Sequence, residues 1–67
     1  MTTTEKARFL ISVTTLKEFC DYVGMTAHTC YKRLNTQRWK NSEIIAIDQM
    51  LNDIKNKVSY VKRKSNP

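Results

Sequence analysis

Glycine occurs once in this chain, at Gly24, and proline once, at the last position, Pro67. Tight reversals of a β-sheet draw on those two residue types, so a chain this poor in them is expected to fold as helices. Its 67 residues allow one domain, near the lower limit at which a single apolar core holds a fold without disulfides or metal. So short a chain has little room for a catalytic pocket, and no enzyme activity is expected of it.

The apolar spacing divides the chain into four segments. The first helix is expected at about Thr4 to Ser12, with Ala7, Phe9, Leu10 and Ile11 supplying apolar surface and a threonine as N-cap. The run RFLISV also reads as a strand, as does KVSYVKR, so short terminal β-strands over 8–13 and 57–63 stay open at this level. Next, TLKE (Thr15 to Glu18) has the form of a capping box, and a helix begins at Leu16. Leu16, Phe19, Cys20 and Val23 make its apolar face, and Gly24 ends it, because a residue just past a helix often needs positive φ. Thr26 caps a third helix, Ala27 to about Leu34, with Met25, Cys30 and Leu34 inward and His28, Thr29, Tyr31, Lys32 and Arg33 on or near the outer face. NTQRWKN reads as a polar loop, with Asn41 or Ser42 capping a long last helix at about 42–62 and a frayed tail at 63–67.

In that last helix Ile44, Ile47, Leu51, Ile54, Val58 and Val61 step by three and four, a heptad seam. Ile44 to Leu51 is needed to close the core. Ile54, Val58 and Val61 have less chain to cover them, and either pack on their own domain or pair with a second subunit. A parallel coiled coil would bring Lys57 close to Lys62 of the partner subunit, so pairing is expected to be antiparallel or crossed.

Twelve Lys and Arg against six Asp and Glu give a net charge of +6, which points to an anionic partner. The excess sits in two blocks. Residues 22–42 hold Lys32, Arg33, Arg38 and Lys40 with no acid, and Lys55, Lys57, Lys62, Arg63 and Lys64 follow Ile54 unopposed. Between them, residues 43–53 hold three acids and no base. Two cysteines and one histidine do not complete a four-ligand site, so neither metal nor cofactor is expected, and in a reducing compartment Cys20 and Cys30 are expected to be buried as small apolar residues. No run approaches the ~18 to 20 apolar residues of a membrane span, and MTTTEKARFLISV lacks the order of a secretory signal. The protein is expected to be intracellular and complete from its first Met.

These spacings also form a unit. Cys20 lies four residues before Gly24, Met25 follows the glycine at once, and Cys30 stands six after it. TLKEFCDYVGMTAHTCYKRLN, residues 15–35, resembles the helix-turn-helix of phage repressor and Cro-like regulators. That family has a small residue, a turn glycine and apolar residues at these intervals, with Ala and Val usual where Cys20 and Cys30 stand. The resemblance implies an all-α, small four-helix domain spanning 1–67 with an extended C-terminal helix, whose two cysteines face each other. A disulfide between them stays open under oxidation if the Cα atoms lie within about 7 Å. Three positions depart from the family pattern: Leu16 stands where Gln often holds a phosphate, Arg33 where an apolar residue is frequent, and Thr36 where Gly follows the terminal Asn.

Carried over, the resemblance places the third helix in the major groove of double-stranded DNA, with Thr26, Ala27, His28, Thr29 and Lys32 as base-reading candidates. Tyr31 contacts base or phosphate, or is partly buried against the last helix. Arg33, Asn35, Gln37, Arg38 and Lys40 are the sugar-phosphate candidates. Trp39 either directs its indole N–H to a phosphate or anchors in the core. The expected function is a sequence-specific transcriptional regulator of phage or bacterial type, a possible homodimer through its C-terminal segment, in the cytoplasm of a bacterial host and on its nucleoid. Two alternatives remain: a protein-binding module such as an antirepressor or host-inhibitory protein that keeps the fold, and a recombination directionality factor that bends DNA.

Overall fold

The computed structural model describes the backbone of residues 1–65 and the side chains of residues 1–56. Four helices follow one another: α1 (Thr3–Val13), α2 (Leu16–Val23), α3 (Ala27–Thr36) and α4 (Asn41–Ser65). There is no strand among the described residues. RFLISV falls within α1, whose buried positions step by three: Thr4, Ala7 and Leu10 face inward, a period that a strand cannot present to one side. Phe9, expected to add core surface, points outward and is 42% exposed. The KVSYVKR segment likewise belongs to α4, whose backbone stays helical to Ser65, past the expected end near 62.

Local hydrogen bonds set the helix starts. The complete capping box lies at Thr2 and Glu5: Glu5 N–H donates to Thr2 Oγ1 (3.2 Å) and Thr2 N–H to the Glu5 carboxylate (2.9 Å). At α2 the Thr15 hydroxyl accepts the Glu18 N–H at 3.0 Å, which is the first half of the expected box. Gly24 adopts φ 85°, and the N–H groups of Gly24 and Met25 both donate to the Cys20 carbonyl, at 2.8 and 3.0 Å. That geometry turns the chain sharply into α3 and favours a residue without Cβ. Helix α3 runs two residues beyond Leu34. Thr36 Oγ1 donates to the Lys32 carbonyl at 3.0 Å, and Gln37, with φ 59°, donates its N–H to the Arg33 carbonyl at 2.7 Å.

Neither Asn41 nor Ser42 caps α4. Asn41 is already its first residue, and the Lys40 N–H is held by the Glu43 carboxylate at 2.8 Å.

Ala7, Leu10, Phe19, Cys20, Cys30, Ile47 and Met50 form the buried core. The face that α4 turns inward is therefore centred on Glu43, Ile47 and Met50, rotated from the heptad seam read in the sequence. Ile47 is common to both, while Ile44 and Leu51 are half-buried and Ile54 packs at the core's edge. Val58 and Val61 lie outside the residues whose side chains are described. Among the described residues, helix α1 packs on the other three helices, α2 on α3 and α4, and the backbone of α3 on α1 and α2. The Lys6–Asp48 ion pair (2.7 Å) ties α1 to α4, and the Trp39 indole N–H donates to Thr4 Oγ1 at 3.0 Å. Trp39 thus anchors the α3–α4 loop to the start of α1, and its N–H is not offered outward.

Candidate nucleic-acid interface

Helix α2 packs on α3, with two small side chains between them. Cys20 and Cys30 are both buried free thiols and neighbours across the crossing. Burial pushes the Cys30 thiol up to about 11, and Cys20 adds to the shift through charge and a hydrogen bond. The folded protein therefore keeps a proton that the unfolded chain releases near pH 9. This contribution to stability is complete below that pH and is lost as pH rises toward 11. Urea unfolding midpoints of the native chain should hold steady up to pH 8.5 and decline above 9, more steeply than those of Cys30→Val; parallel declines would place the thiol in a more aqueous setting.

With Cys30 pinned inward, the opposite side of α3 is presented to solvent. Ala27, His28, Tyr31 and Lys32 are exposed, as are Asn35, Gln37, Arg38 and Lys40 after them. Tyr31 retains 56% of its surface and does not lie buried against α4. Among the described residues, Lys32, Arg38 and Lys40 take part in no side-chain ion pair. Nor does an acidic residue occupy the first turn of α3, so no carboxylate of that turn offsets its free N–H groups and positive dipole end.

Two expected contacts are engaged elsewhere. Arg33 turns back to α4, where its Nε donates to the Glu43 carboxylate at 2.9 Å and its side chain is 19% exposed. It braces the scaffold and leaves the outward-facing set, because a half-buried guanidinium satisfies its charge at the nearest carboxylate. Thr26 is exposed, yet its hydroxyl oxygen accepts the Thr29 N–H at 3.2 Å and its hydroxyl lies 3.0 Å from that of Thr29. Thr26 is thus primarily the N-cap, and the half-buried Thr29 shares its hydrogen bond.

The sequence reading did not single out Glu43. One carboxylate oxygen accepts from both Arg33 and the Lys40 N–H, fixing the end of α3, the loop and the start of α4 relative to one another. Its signal was available: an acid three residues after Lys40, the position from which a side chain reaches back to a helix's first N–H.

Comparison with protein-family models, curated proteins and solved structures found no match. Among the described residues, no three His, Cys, Asp or Glu side chains cluster so as to hold a metal ion, and no helix is long and apolar enough to cross a membrane.

Proposed function

We propose that this protein is a sequence-specific DNA-binding transcriptional regulator, similar in kind to the phage repressor and Cro-like proteins, with α3 lying in the major groove. One observation carries the reading: a rigidly backed helix and its following loop hold His28, Lys32, Arg38 and Lys40 exposed within a stretch, 22–42, that contains no acid. Uncommitted cations backed by a packed core are what a polyanion requires, since their desolvation is offset by phosphate contact and counterion release.

The roles divide by position. His28 and Lys32 lie one helical turn apart on the outward face of α3, where an imidazole donates or accepts and an ammonium suits the acceptor pair of guanine. Ala27 is small enough to meet a thymine methyl. Asn35, Gln37, Arg38 and Lys40 follow the backbone and set register.

Selection of bound sequences from a random duplex pool, at a stated salt concentration, tests this reading. An enriched sequence is expected. On it, Lys32→Ala and His28→Ala should each cost about 1–3 kcal/mol and relax the preference at the base each contacts, with little loss on random DNA. Arg38→Ala should weaken every duplex alike and lower the salt slope by about one. Equal losses on selected and random DNA for all three variants would refute base reading by α3, and a pool without enrichment would favour the protein-binding alternative.

A further inference from the structure

On the side of the molecule built by α1, α2 and α4, a groove of about 670 Å³ opens between Thr14, Glu18, Tyr22, Met50, Asp53 and Ile54. Met50, Ile54 and the Tyr22 ring give it apolar surface. Among the described residues, its two carboxylates are Glu18 and Asp53, and no base lines it. Asp53 accepts the Tyr22 hydroxyl at 2.8 Å and the Gln49 amide at 3.3 Å. The hydrogen bond to this carboxylate raises the phenol above its ordinary pKa. Among the described residues neither Glu18 nor Asp53 forms an ion pair.

We propose that this groove receives the C-terminal part of α4 from a second copy of the chain, in an antiparallel, two-fold pairing about Ile54. Residues 55–64 carry five bases and no acid, together with Val58, Tyr60 and Val61, and so complement an acidic, apolar groove. Met50, Asp53, Ile54 and Asn56 of α4 form one wall, and because α4 is one continuous helix to Ser65 its backbone runs on past that wall without turning back across the groove. An antiparallel register centred on Ile54 sets residues 55–64 of each chain beside residues 44–53 of the other. The second stretch holds Asp48 and Asp53 and no base, and Asp48 also pairs with Lys6. A parallel register would stack base on base. Because the patch meets its own copy across a two-fold axis, every such contact is made twice.

The inference does not rest on DNA binding, and its test is separate. Sedimentation equilibrium of the full chain, over concentrations of about 1 to 300 µM, is expected to give a species of twice the 7.9 kDa chain mass that weakens with added salt. Glu18→Lys with Asp53→Lys, and separately Lys57→Glu with Lys62→Glu, should each raise the dimer dissociation constant about tenfold or more. Mixed in equal amounts the two variants should pair, since each then offers the other a complementary groove and segment; circular dichroism checks that both remain helical. A monomeric wild type, reversals that leave the dimer intact, or a mixture that fails to pair would each overturn the inference. A monomer that still enriches a duplex sequence removes the dimer and leaves the DNA reading standing, and a dimer that enriches none does the opposite.

Discussion

Phe19→Ala is expected to leave the chain largely unfolded at room temperature. Phe19 is fully buried, the largest side chain in a core otherwise made of Ala7, Leu10, Cys20, Cys30, Ile47 and Met50. Truncating such a ring costs about 3–5 kcal/mol through lost transfer energy and the cavity left behind. A domain of this length has roughly 3–10 kcal/mol of total stability, at about 0.05–0.15 kcal/mol per residue, so one substitution removes most of the margin. All four helices contribute to that core, and no disulfide holds the chain when the core is lost. Far-ultraviolet circular dichroism during urea titration reads the effect, with Phe19→Leu as the milder companion. A variant melting within a few degrees of the native chain would mean that Phe19 is not the keystone of the α2 packing.

Glu43→Ala is expected to be the next most damaging single change. Its carboxylate answers both the Arg33 guanidinium and the Lys40 N–H and is itself nearly buried, with 11% side-chain exposure. Removing it strands a mostly covered cation and an unpaired helix-start donor. The cost is about 2–4 kcal/mol, below the full range for a buried pair because Arg33 keeps some contact with water. Glu43→Gln keeps an acceptor for the Lys40 N–H and loses only the charge, so about half that loss is expected. Arg33→Met combined with Glu43→Leu should recover much of the stability, since an apolar pair of similar volume removes the stranded charge. Chemical denaturation of the four proteins checks the order, and a Glu43→Ala loss below about 0.5 kcal/mol would show the pair to be dispensable.

These two residues differ in how they could be found. Phe19 stood in a helical repeat with Leu16, Cys20 and Val23, and burial follows from that periodicity. Glu43 stood among residues 43–53 as one of three acids, separated from exposed Asp48 and Asp53 only by its place three residues after Lys40, from which a side chain reaches back to a helix start. The outward set of α3 was legible once Cys30 was placed inward, because positions three and four apart share a face. Arg33 was not: on the helix alone it lies near the outer side, and only the arrival of α4 supplies its carboxylate.

What the chain determines by itself is local. Thr15 and Thr26 bond to N–H groups three residues on and Gly24 takes a positive φ, so two helix starts and the turn between them arise from neighbours in sequence, whatever surrounds them. The tertiary structure decided the rotation of each helix about its axis. An apolar stripe on a helix is about 100° wide, and which of its edges is buried depends on where other helices lie. Thus α4 shows Glu43, Ile47 and Met50 inward, Phe9 is turned out, and Trp39 finds Thr4 across 35 residues of chain. Those outcomes depend on contacts between segments that no local spacing encodes, because their energy exists only once all four helices are assembled.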